Sequence, residues 1–198
     1  MSFTPEQKAY HLRKMRTRMF RMDVNKDGFI SREDYELMGI RLAEHSGMTG
    51  EQAETAKKQF LKVVDMVNLK PGVKTPLEEA AKKVNEALLT SMTATERSAF
   101  INDIHDLLFD AIDTNNDGHI SLSEFKVYLN IIAPDIEEDK IVYSFNTIDT
   151  DKNGEISREE FLAAANDFLQ GVEETELSKV FFGPLLDWSI LQELWPIN

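Results

Sequence analysis

A twelve-residue pattern recurs three times in this chain, and it constrains the fold more than any other feature. The copies are Asp23 to Asp34, Asp113 to Glu124 and Asp149 to Glu160. In each, positions 1, 3 and 5 carry side-chain oxygens, position 6 is glycine, position 8 isoleucine, position 9 serine and position 12 an acid. The last two copies start 36 residues apart and the first two 90 apart, which leaves room for one further unit between them. Asp, Asn and Gly clusters also build turns, and Ser-x-x-Glu also caps helices. Neither device requires all of these positions at once.

The pattern suits a hard cation that takes six to eight oxygens in a flexible shell, and it is the EF-hand calcium loop. The candidate ligands are Asp23, Asn25, Asp27, Phe29, Ser31 and Asp34; Asp113, Asn115, Asp117, His119, Ser121 and Glu124; and Asp149, Asp151, Asn153, Glu155, Ser157 and Glu160. Position 7 (Phe29, His119, Glu155) donates a backbone carbonyl, so its side chain is free to vary, and position 9 is the usual place for a water-bridged contact. Glycine at position 6 permits the sharp turn. Three bound calcium ions would move the formal charge from −13 to −7. Asp34 is one methylene shorter than Glu124 and Glu160, so the first site is expected to bind calcium more weakly or to tolerate magnesium. The missing unit reads as Asp65 to Pro76, with Val67 and Leu69 at positions 3 and 5; it cannot bind calcium and is expected to survive as the structural mate of the first loop.

The rest reads as helices. Thr4-x-x-Gln7, Thr49-x-x-Gln52, Thr75-x-x-Glu78, Thr93-x-x-Glu96 and Asp135 with Glu138 look like helix starts. The expected fold is all-α, with four EF-hands in two paired lobes around a central cavity and the second unit degenerate. Residues 1–92 form the N-terminal pair, 93–187 the C-terminal pair, and 188–198 a tail packing on the body.

A net charge of −13 disfavours nucleic acid and anionic membranes as partners. Six of the basic residues fall within residues 1–22, which suggests a solvated helix face offsetting the acidic body, or a docking surface. The chain has no cysteine, no run of 18 apolar residues and no apolar signal core after Met1. A monomer in the cytoplasm is the expectation.

Two polar residues interrupt the buried stripes of the helices entering the loops. Arg18 stands five places before Asp23, and His105 eight places before Asp113. A buried guanidinium needs acceptors, so Arg18 either runs along a helix edge, forms a structural ion pair, or faces a cavity holding a polar ligand group. Met15, Met19 and Met22 share its stripe, either as ordinary core or as the lining of a soft pocket.

Three working loops with a degenerate second unit, and the ending Val180-Phe181-Phe182-Gly183-Pro184-Leu185, resemble the sarcoplasmic calcium-binding proteins. A closer resemblance is to the calcium-dependent luciferin-binding proteins. It is carried by residues 9–15, Asp27 to Leu37, Pro71-Gly72-Val73, Glu78 to Ala81, and Asn166 to Leu169 with Glu173-Glu174-Thr175, and it spans roughly residues 8–187. The absence of cysteine and the segment 188–198 depart from it. The resemblance implies that coelenterazine or a similar small hydrophobic luciferin is bound beside Arg18 and Tyr35 and released with calcium, with a luciferase as candidate partner. Photoproteins share the fold, but their peroxide-holding histidine positions are Met15 and Ala165 here, and no tryptophan precedes Trp188. The resemblance therefore implies a carrier, not an enzyme. A calcium/magnesium buffer with a filled core, and a sensor that docks partner helices, are the competing readings.

Overall fold

The structure is a computed structural model that describes residues 3–194. The chain forms α1 (Pro5–Met22), β1 (Phe29–Ile30), α2 (Arg32–His45), α3 (Glu51–Met66), β2 (Thr75–Pro76) and α4 (Leu77–Glu86). A π-helical turn over Ala87–Ser91 leads to α5 (Ala94–Ile112), β3 (His119–Ser121), α6 (Leu122–Ile132), α7 (Glu138–Ile148), β4 (Glu155–Ser157), α8 (Arg158–Gln170) and α9 (Trp188–Leu194). The strands are two or three residues long and lie inside the loops. β1 pairs antiparallel with β2, and β3 with β4.

Thr4 and Thr93 start α1 and α5 with reciprocal capping boxes, each threonine hydroxyl accepting from the N–H three residues on. Three other expected starts fail. Gly50, at φ +56°, caps α3 in place of Thr49. Thr75 is drawn into β2 opposite Ile30, and α4 begins after Pro76. Glu137 precedes α7, and Asp135 instead accepts from Arg21 Nη1 at 3.1 Å.

One apolar cluster runs through both halves of the molecule. The position-8 isoleucines Ile30, Ile120 and Ile156 are all buried, with Ile120 opposite Ile156. Met15, Met19 and Met22 are buried too. Phe181 and Phe182 pack at a 4.9 Å centroid separation and sit against Phe161 (5.0 Å) and Phe168 (5.1 Å) respectively, so the C-terminal segment plugs the second half. Leu191 of α9 is buried. The end of the expected tail, Trp195 to Asn198, lies outside the described residues.

Apart from the exposed Lys8, the basic residues of α1 do not form a solvated face. Arg16 makes two hydrogen bonds to Glu78, at 2.6 and 2.8 Å. Arg13 Nε donates to the Leu186 carbonyl. Lys14 is fully buried and donates to the Gly171 carbonyl at the end of α8 at 2.7 Å; burial lowers its ammonium pKa to about 8. These cations fasten α1 to α4 and to the C-terminal segments, where helix-end carbonyls and carboxylates supply acceptors.

Candidate calcium loops and adjoining cavity

The three loops share one hydrogen-bonded frame. The position-1 carboxylates of Asp23, Asp113 and Asp149 accept from the backbone N–H groups of positions 5 and 6, at 2.9–3.2 Å. The position-5 side chains of Asp27, Asp117 and Asn153 accept from the N–H of position 7, at 2.8–3.0 Å. Gly28, Gly118 and Gly154 have φ between +85° and +90°, where a Cβ would be strained. The three loops thus hold their oxygen-bearing side chains in one shared frame, and the chemistry of those oxygens fits calcium.

Position 12 differs between sites as its chain length demands. Glu160 Oε1 spans the loop to the N–H groups of Thr150 (2.8 Å) and Asp151 (3.2 Å), while Oε2 accepts from the Ser157 N–H and hydroxyl. Glu124 does the same with Thr114, Asn115 and Ser121. Burial acts to raise both carboxyls, but these hydrogen bonds together outweigh it, holding Glu124 below the usual range and carrying Glu160 to about 2. Asp34 accepts from Ser31 but reaches the far side of its loop only at 3.4 Å, to Asn25 N–H; burial dominates and its pKa is raised. Carboxylate oxygens of Asp149, Asp151 and Glu160 all lie within 4.8 Å of one another, a ready cation cluster.

The degenerate loop has a different frame from the one its sequence suggests. β pairing sets Thr75 opposite Ile30, as Ile120 stands opposite Ile156, which makes Thr75 position 8. α4 then starts at position 10, as α2, α6 and α8 do. Position 1 is therefore Asn68, not Asp65, and position 12 is Glu79, not Pro76. Lys70 and Gly72 occupy positions 3 and 5, so in this frame as well the loop lacks side-chain oxygens at two of the three alternating positions.

A half-open cavity of about 180 Å³ lies between α1, α2 and the degenerate unit, lined by Arg18, Met19, Tyr35, Val67, Thr75 and the exposed Lys83 among others. Arg18 is 7% exposed, and its Nε has no hydrogen-bond partner among the described residues. Its guanidinium lies over Phe182, 5.7 Å from the ring centroid. Burial pushes the Tyr35 phenol up, with Arg18 beside it pulling the other way. The Tyr128 hydroxyl and His105 Nε2 are likewise buried without partners. His105 Nδ1 donates to the Ile101 carbonyl at 2.7 Å, leaving Nε2 as the acceptor, and burial lowers the imidazole pKa to about 3. Such orphaned atoms are costly, and Arg21 Nε and Ser144 Oγ are others; of these residues Arg18 lines the pocket. Arg18 and Tyr35, the two residues the resemblance places beside a ligand, both line this pocket, and His105 and Tyr128 do not. A larger groove of about 610 Å³, lined in part by Arg13, Tyr143 and Leu185, lies apart from these residues.

Paired loops, helices entering and leaving each, and short strands joining them define an EF-hand protein of four units, one of them degenerate. The EF-hand domain pair family matches residues 101–165, and the EF hand family matches residues 21–38. The luciferin-binding protein of Renilla reniformis is 49% identical over 183 residues, covering 92% of this chain and 98% of that protein. The chain belongs to the luciferin-binding protein family. The calcium-loaded apo form of coelenterazine-binding protein from Renilla muelleri superposes with a TM-score of 0.85 at 48% identity, covering 92% of this chain and all of that one. Calcium-loaded apo-aequorin from Aequorea victoria shares the fold, with a TM-score of 0.62 at 24% identity over 87% of this chain and 94% of its own. Among the described residues, no helix is long and apolar enough to cross a membrane.

Proposed function

We propose that this chain carries coelenterazine or a similar hydrophobic luciferin and releases it when its first, third and fourth loops bind calcium. The observation that carries this reading is the placement of Arg18 and Tyr35. They line one cavity from the two helices that flank the first calcium loop, each within five residues of a loop ligand. Calcium, when bound, supplies a dense positive charge at each loop centre. Asp34 would hold the ion from the start of α2, next to Tyr35, and Asp23 from the end of α1, below Arg18. A change at either ligand would reshape a wall of the cavity and lower its affinity for the luciferin. By linkage, ligand must weaken calcium binding by the same factor.

The eighteen loop residues named from sequence are assigned as calcium ligands on three sites, with magnesium also accepted at the first, where Asp34 is short. Residues 1–92 and 93–187 act as the two functional pairs, in a monomer that binds its ligand without turning it over. A luciferase is the partner that would receive the released ligand.

One observation favours a second reading. The cavity's 180 Å³ falls below the ~300 Å³ at which small-molecule pockets begin. A buffer of calcium and magnesium with a filled core would look like this. Titration of calcium-free protein with coelenterazine, followed by calcium, separates the two. Stoichiometric binding that collapses with calcium is expected of the carrier, and no binding in either state would leave the buffer.

A further inference from the structure

The degenerate loop places a cation on a ligand oxygen of its partner. Lys74 Nζ lies 2.6 Å from Asp27 Oδ2 and 3.3 Å from Glu33 Oε2. Asp27 Oδ1 also accepts from the Phe29 N–H at 3.0 Å, so Lys74 holds one of the two oxygens this carboxylate can offer a metal. The position is fixed by backbone. Thr75, the next residue, pairs with Ile30, and the Leu77 N–H donates to the Gly28 carbonyl at 3.3 Å. In the C-terminal pair, the corresponding Oδ2 of Asp117 accepts instead from the neutral Asn115 amide at 2.7 Å. Among the described residues, no ammonium or guanidinium is paired with Asp117 or Asn153.

We propose that Lys74 is a built-in competitor for the first calcium loop, a tethered ammonium that a metal must displace from Asp27 or tolerate beside it. Lys74 stands at position 7 of the degenerate loop, where the side chain takes no part in ligation, so it is free to act on the neighbouring site. The consequence is a first loop of lowered affinity whose filling disturbs the degenerate strand. That strand is part of the cavity wall, because Thr75 lines the cavity with Arg18 and Tyr35. The inference rests on the reading of residues 23–34 as a calcium site.

The test uses the full-length chain with Glu124→Gln and Glu160→Gln, so that calcium binding at the first loop dominates an isothermal titration. Lys74→Gln is compared with Lys74→Arg and, as a charge control remote from the loop, Lys140→Gln. A unit charge about 5 Å from a divalent ion in a water-like dielectric corresponds to roughly tenfold in affinity. Lys74→Gln should therefore bind calcium roughly tenfold tighter at low salt, with the gain shrinking as salt is raised. Lys74→Arg and Lys140→Gln should stay within about twofold of the parent. Equal or weaker binding by Lys74→Gln would overturn the inference and leave Lys74 a clamp between the paired loops. Absence of calcium binding in both parent and Lys74→Gln, with circular dichroism reporting a folded chain, would overturn the reading of the first loop itself. Binding that appears only in Lys74→Gln would be the strongest support.

Discussion

Asp34 and Tyr35 are consecutive residues, both buried, with one carboxylate turned into the first loop and the neighbouring phenol turned onto the cavity beside Arg18. On the proposed function, metal ligation and ligand binding would meet in a single peptide unit at the start of α2, and a movement of Asp34 toward an ion would be felt at Tyr35 without any longer relay.

Arg18 is the side chain whose burial is hardest to account for without a ligand. Arg18→Met keeps the volume and removes an unsatisfied donor. Folding stability should be unchanged or higher, whereas coelenterazine affinity should fall by roughly 10–100-fold, the worth of a hydrogen bond from a charged group. A thermal melt and a fluorescence titration on the same sample check both. Retained affinity would place the ligand elsewhere.

Lengthening position 12 of the first loop tests the reason given for its weakness. Asp34→Glu should let a second oxygen reach the loop centre, raising calcium affinity by about tenfold and lowering the relative preference for magnesium. Competition titrations of the two metals would detect this, and unchanged affinities for both would refute it.

His105 gives the fold a pH dependence whose sign follows from burial. Its folded pKa, about 3, lies below the ordinary value near 6.5, so between these limits the unfolded chain holds a proton that the folded chain lacks. Stability on this account is full above about 6.5 and is lost as pH falls toward 3, by on the order of 4 kcal/mol. His105→Phe removes the titration. Its stability advantage over the parent should grow steadily as pH is lowered through that window in urea melts. A constant difference would contradict the assignment.

The aromatic plug should matter to the whole molecule. Phe182 is fully buried against Phe168, Phe181, His105 and Arg18. Phe182→Ala should cost about 3–5 kcal/mol of stability. Loss of less than about 1 kcal/mol in chemical denaturation would mean that the segment does not plug the core.

Much of this arrangement is legible in the sequence because calcium loops demand particular side chains at particular positions. The loop frames, the buried faces of the entering helices and the odd placement of Arg18 and His105 could all be read without coordinates. Long-range pairing is what escaped. Thr75 carries a sound capping signal, yet pairing with Ile30 takes it into a strand, and the same pairing moves the frame of the degenerate loop by three residues. Asp135 looks like a cap, but Arg21, 114 residues earlier, takes its carboxylate. The cations of α1 look solvent-facing because their acceptors, such as the Gly171 carbonyl that Lys14 meets, lie at the other end of the chain. Neither spacing nor composition reports such partners.

The most direct test of calcium-triggered release is its reciprocal. Calcium affinity would be measured by titration calorimetry on calcium-free protein, with and without saturating coelenterazine. Weaker calcium binding in the presence of ligand, by the same factor by which calcium weakens ligand binding, is the expected result. Calcium affinity that coelenterazine leaves unchanged, or tightens, would contradict release by calcium and leave a calcium-binding protein whose cavity serves another end.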